Sequence, residues 1–144
     1  MNQRGFATLE VILMVVVIGI LASVAVPRFT DVTTKANTAK IQADLSTIDT
    51  AIQMYNLDTG KDDVSLEKLK SGGYLMDIPK PPTGSAYVKD TNGNATSTSI
   101  STINTTNDYT VGDYTISGTG EPEKKVKRAM LGTKVAGDFG LPKS

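Results

Sequence analysis

The run from Phe6 to Val26, FATLEVILMVVVIGILASVAV, constrains this chain more than any other feature. Wound as a helix at ~1.5 Å per residue, its roughly 21 residues match a hydrocarbon core of about 30 Å. A secretory signal has a shorter apolar stretch and a small-residue cleavage site, and Ala22-Ser23-Val24-Ala25 offers only a weak version of one. The pattern after Ala25 continues as a helix instead of opening a new domain, so the run reads as a segment built to stay in a membrane. Ahead of it stands a short polar leader, Met1 to Gly5, in which Arg4 and the initiating amine favour a cytoplasmic N-terminus.

One carboxylate, Glu10, interrupts the run a helical turn after Phe6. Holding a charge near a membrane centre costs about 2.5–3.5 kcal/mol on insertion scales, and no Lys or Arg lies between Phe6 and Val26 to offset it. Cutting between Gly5 and Phe6 would create the missing cation. The new α-amino group would lie one turn from Glu10, and staggered chains would set one chain's amine against another's carboxylate, so that the charge fixes register. The competing reading is a lone Glu tolerated near a helix start by the macrodipole and by snorkelling to headgroups.

The motif Gly5-Phe6-Ala7-Thr8-Leu9-Glu10, followed by Val11 to Val26 and then Pro27, resembles the type IV pilins and their type II secretion and competence pseudopilin relatives. The resemblance covers roughly the first third of the chain. Ala7 stands where that family usually has Thr-Leu directly after the Phe, yet Glu10 keeps its distance from Gly5. The resemblance implies that a prepilin peptidase cuts between Gly5 and Phe6 and that the new terminus at Phe6 is N-methylated. It also implies that Phe6 and Glu10 guide assembly. Implied partners are other pilin subunits in a homopolymer, the peptidase and an inner-membrane assembly platform. The precursor would sit in the inner membrane and the product in an extracellular or periplasmic filament. A major pilin is the first reading, and a major pseudopilin of a secretion or DNA-uptake system the alternative.

Behind the apolar run, a 144-residue chain retains roughly a hundred residues, enough for one small soluble unit. After Pro27 a helical period takes over, with Ile41, Leu45, Ile48, Ile52 and Tyr55 on one stripe and Lys35, Lys40, Asp44 and Asp49 largely off it. Gly19 and Pro27 are the points of flexibility in this helix, since Gly adds backbone freedom and Pro deletes a hydrogen bond. In the family this region unwinds on assembly; the residues alone fit equally a helix with a mild proline kink. Asp58 to Asp63 reads as a linker, and Ser65 caps a short helix in which Leu66 and Leu69 share a face and which Gly72-Gly73 stops. From Ala86 onward β-prone runs appear at Ala86–Lys89, Ser97–Ile103, Tyr109–Ser117 and Lys125–Leu131, with a turn at Asn92-Gly93.

The expected fold is therefore α+β: a long N-terminal helix, membrane-spanning in its first half and amphipathic in its second, packed on a small antiparallel sheet through Val88, Ile100, Val111, Ile116 and Val126. The expected divisions are a leader at 1–5, a transmembrane and polymerisation helix at 6–27, an amphipathic helix at 28–57 and the remaining head at 58–144.

Chemistry is poorly provided for. Cys and His are both absent, which removes disulfides, thiolate metal sites and the commonest general base. Lys plus Arg equal Asp plus Glu at 15 each, so no global field steers the chain toward nucleic acid. The loop Pro79-Lys80-Pro81-Pro82 resembles a pseudopilin turn but lacks its acidic member, and no metal, cofactor or catalytic residue is assigned. Gly132 to Gly137 has phosphate-loop spacing without the Lys and Ser or Thr that phosphate binding needs, and Asp138-Phe139-Gly140 is a chance match to a kinase motif. Asn94 and Asn104 sit in glycosylation triplets. Lys124, Lys125, Lys127 and Arg128 form the one concentrated basic site, read either as a polyanion contact, with DNA as the partner, or as charges guarding a sheet edge, with Glu121 and Glu123 partly neutralising them.

Overall fold

The structure, a computed structural model, describes residues 3–116 and 124–142, with the side chains of these apart from 3–5, 25–28, 116 and 124. Ser117, Glu121 and Glu123 lie outside the described residues, as do Met1 and the side chain of Lys124. Helix α1 covers Gln3–Thr59, then come α2 (Leu66–Ser71), strands β1 (Ser85–Lys89) and β2 (Ala95–Ser99), α3 (Ile100–Ile103), strands β3 (Tyr109–Ile116) and β4 (Lys124–Leu131), and a 3-10 turn at Ala136–Asp138. The chain divides into two compact units, Met1–Thr33 and Thr34–Ser144.

In the second unit the period of α1 decides the packing. Ile41, Leu45, Ile48, Ala51 and Ile52 are all buried, with Tyr55 packed at the end of the stripe. Each fully buried Ile or Leu contributes about 1.5–3 kcal/mol by leaving water. Onto the stripe fold Leu66 and Leu69 of α2, Ala86 of β1, Ile100 of α3, Tyr109 of β3, Ala129 and Leu131 of β4, and Phe139. Gly60 ends α1 in the left-handed region, at φ 65°, with its N–H on the Asn56 carbonyl. Ser65 caps α2, its hydroxyl accepting from the Lys68 N–H.

The strands form two antiparallel hairpins, β1–β2 and β3–β4, instead of one sheet. In the first, Ser85 faces Ser99 and Lys89 faces Ala95 across a turn where Gly93 has φ 79° and the Asp90 carboxylate accepts from the Asn92 and Asn94 N–H groups. In the second, Tyr109 faces Leu131 and Ile116 faces Lys124. Polar side chains of α1, buried at Thr38 and half-buried at Asn37 and Gln42, tie the first hairpin and the Phe139 segment to the helix. Thr38 donates to the Thr34 carbonyl at 2.7 Å and accepts from the Tyr87 N–H at 2.8 Å, and Asn37 donates to the Thr83 and Ser85 carbonyls. Gln42 reaches the Phe139 carbonyl at 2.9 Å.

The structure corrects three expectations. Ser97–Ile103 splits at Ile100, where a helical turn closed by the Asn104 N–H on the Ile100 carbonyl replaces the strand. Only that turn puts Ile100 and Ile103 on one face, because a strand would send them to opposite sides. Val126 is not a core residue: it faces Tyr114 on the outer side of the β3–β4 hairpin, while Ala129 and Leu131 carry the strand's apolar payload. Asp49, expected off the stripe, is buried. The other expected contacts are present for Ile100 in the core and for Val88 and Val111 packed against it, and the side chain of Ile116 is outside the described residues.

Candidate functional site

In the first unit the described apolar side chains are uncovered. From Phe6 to Val24 every large hydrophobic side chain is between 46% and 83% exposed. Successive helical residues are about 100° apart, so an unbroken run of them makes a helix that is apolar on all sides, the pattern of a membrane span or of a helix wrapped by others. The helix is long and apolar enough to cross a membrane, with a mean hydropathy of 2.8 over its best window and none of that window buried. A helix pairs its backbone N–H and C=O groups internally, which is the condition for lying in lipid; the exception here is the Ser23 carbonyl, to which Pro27 has no N–H to donate.

The Gly5–Phe6 peptide falls within the first turn of α1. Phe6 and Glu10, four positions apart, share one face of that helix. Glu10 is exposed and, among the described residues, pairs with no cation. A Cβ built on Gly19 would meet nothing within 4 Å, so the subunit's own packing does not require glycine there. Pro27 lies inside α1, which is helical on both sides of it.

The basic run is distributed by strand geometry. Lys127 stands opposite Asp113 and pairs with it at 2.9 Å, an interaction that holds the Asp113 carboxyl below the usual carboxylate range. Arg128 sits over Tyr114 at 5.9 Å and pairs with Asp49, its Nε at 2.9 Å and its Nη2 at 2.8 Å from the same carboxylate oxygen. The other Asp49 oxygen accepts from the Ala129 N–H at 2.7 Å. Lys125 is exposed. Two of the four cations thus already hold carboxylates of this chain.

Elsewhere, Asp138 and Phe139 take structural roles: the Asp138 carboxylate accepts from the Val135 N–H and Phe139 is fully buried. The described residues contain no cluster of His, Cys, Asp or Glu that could hold a metal ion. Asn104 is engaged by its own loop, donating to the Asp108 carbonyl while Thr106 donates to its Oδ1.

The chain is 31% identical over 102 aligned positions to type II secretion system core protein G of Klebsiella pneumoniae, a match that covers 60% of this chain and 73% of that relative. The Vibrio cholerae core protein G is 36% identical over 101 residues, 60% of this chain and 69% of the relative. The chain belongs to the pilin and pseudopilin family.

A second kind of pilin is also similar. The type IV narrow pilus major component PilA5 of Thermus thermophilus is 41% identical over 51 residues, 35% of this chain and 44% of that pilin. No family model matches the chain, and no solved structure gives a significant match. Against this pilin background the residues that sequence reasoning missed are the ones joining the head to α1: Asn37, Thr38, Asp49 and Asp44, whose carboxylate accepts from the Tyr109 hydroxyl at 2.8 Å. A signal for Asp49 existed, because it follows Leu45 by four and precedes Ile52 by three and so lies on the apolar face.

Proposed function

We propose that this pilin-family chain is a structural subunit that polymerises from a membrane pool through α1. The observation that carries the reading is the uncovered, all-round apolar helix with a single carboxylate one turn from Phe6. Processing removes residues 1–5, Phe6 becomes the mature and N-methylated terminus, and its amine neutralises Glu10 of a neighbouring subunit. Burial of both groups among packed helices strengthens that pair, whereas an unpaired Glu10 would oppose assembly. Before assembly the same helix anchors the precursor in the inner membrane. A prepilin peptidase and an assembly platform are its processing and assembly partners, and the filament stands in the periplasm or outside the cell. The mechanism uses no catalytic step of the subunit's own.

Two readings of the filament each have an observation in their favour. The relatives matched over the longer stretch carry a type II secretion name, which favours a major pseudopilin. The shorter and more identical match is to a pilus component, which favours a major pilin. A polyanion contact through Lys124, Lys125, Lys127 and Arg128 would first have to displace Asp113 and Asp49 from two of them. Intact-mass measurement of filament protein tests the processing: the expected chain starts at Phe6 with one added methyl group, and a chain starting at Met1 or after Ala25 overturns the mechanism.

A further inference from the structure

The β1–β2 hairpin covers one of its edges and leaves the other bare. In an antiparallel ladder backbone groups alternate between facing the partner strand and facing away. The Ile100 N–H bonds to the Gly84 carbonyl and the Asp90 N–H to the Asn94 carbonyl. With the register, these two bonds fix the phase: the backbone groups of Thr96 and Thr98 face β1, while Ala95, Ser97 and Ser99 turn their N–H and C=O groups to the outer edge of β2. On β1 the chain itself meets the outward groups of Tyr87, the N–H with the Thr38 hydroxyl and the carbonyl with the Gly140 N–H. On β2 no third strand pairs, and among the described residues the three outward N–H groups have no acceptor. Edge strands are ordinarily blunted by Lys, Pro or a bulge. The β2 ladder is unbroken, and of the described strands β2 alone holds no charged residue. No charge occurs anywhere from Thr91 to Asn107.

We propose that the outer edge of β2 is a docking surface for the same edge of a second copy of this chain, the two strands pairing antiparallel about Ser97. The phase permits it. With Ser97 opposite Ser97, Ala95 meets Ser99, and every outward N–H falls opposite an outward carbonyl. Thr96 of each copy then stands beside Thr98 of the other, a cross-strand pair of the kind that stabilises sheets. Electrostatics selects the occupant. A strand that pairs with itself sets its charges against their own kind, so self-pairing of β4 would gather its lysines and Arg128 at one contact. The neutral stretch around β2 meets no such repulsion. A contact of this kind is two-fold and closed, so it cannot lengthen a filament. It joins subunits of adjacent filaments side by side, a consequence that rests on the polymerisation proposed above. One five-residue pairing is weak, and repetition along two filaments multiplies it.

The chain has no Cys, so Ser97→Cys introduces a single thiol, at an exposed position. In the paired edges the two Cα atoms at this position lie ~5.5 Å apart, within disulfide reach. The full-length variant in detergent micelles should therefore oxidise to a disulfide-linked dimer, while Thr47→Cys, also exposed but on α1, should stay monomeric. Glu10→Gln, which tests polymerisation, should leave the Ser97→Cys dimer in place, so the two readings fail separately. In sheared material the parent chain should give side-by-side bundles. Ser97→Lys and Ser97→Asp each oppose like charges at the centre of the pair and should each give single fibres, and mixing the two kinds of fibre should restore bundles. Equal dimer yields from the two Cys variants overturn the proposal, as do single fibres from the parent chain or bundles that persist in Ser97→Lys.

Discussion

Asp49 shows what a single carboxylate does when its helical position turns it inward. It gathers the Ala129 N–H and the Arg128 guanidinium in one place and so pins β4 to α1. Removing one partner of such a pair leaves the other charge poorly solvated, which is the costly direction. Asp49→Ala should lower stability by about 3 kcal/mol in denaturant melts, and Asp49→Asn, which keeps an acceptor for Ala129, by less. Gly132 is a second residue whose identity the fold dictates. At φ 63° it occupies the left-handed region, and a Cβ there would approach the Ile103 carbonyl oxygen to 2.2 Å. Gly132→Ala should therefore cost more than the ~1 kcal/mol of conformational strain alone, read as a fall in the midpoint of the same melt.

Among the elements, the β1–β2 hairpin depends on its turn. The Asn94 and Asn92 N–H groups hold the Asp90 carboxyl below its usual range. A depressed folded value means that the contribution is complete above the ordinary carboxylate pKa of ~3.9 and is lost as pH falls through the lower, folded value. Amide shifts of Asn92 and Asn94 followed by NMR in an acid titration should accordingly move with a midpoint below that of a model carboxylate; a midpoint at or above it would remove Asp90 from the turn. In α1, Gly19 meets nothing of its own subunit. If assembly needs the helix to loosen there, Gly19→Ala should leave membrane insertion intact and reduce filament yield, because Ala favours the helix by ~1 kcal/mol. Equal yields in sheared fractions would remove Gly19 from the assembly step.

For the whole molecule the decisive prediction concerns Glu10. Glu10→Gln removes a charge whose burial in lipid costs about 2.5–3.5 kcal/mol, so the membrane pool should be at least as large as in the parent chain, while sheared filament falls. Thr8→Val, which changes polarity nearby without changing charge, should leave filaments in place. Normal filaments from Glu10→Gln would end the ion-pair mechanism.

This helix, its carboxylate and the amphipathic stripe from Ile41 to Tyr55 were all legible in the sequence, because helical period and hydropathy are local properties of consecutive residues. Ser65 as a cap was legible for the same reason. The partition of the strands into two hairpins, the helical turn at Ile100, the outward side of Val126 and the Asp49–Arg128 clasp were decided only by the tertiary structure. Each depends on which residues distant in sequence meet: Ile100 and Ile103 share a face because the core lies on one side of them, and Arg128 loses its freedom because Asp49, far back on α1, stands at the edge of its strand. Local pattern carries the apolar helix and the stripe, while charge neutralisation and strand partnership are settled by contacts no window of sequence contains.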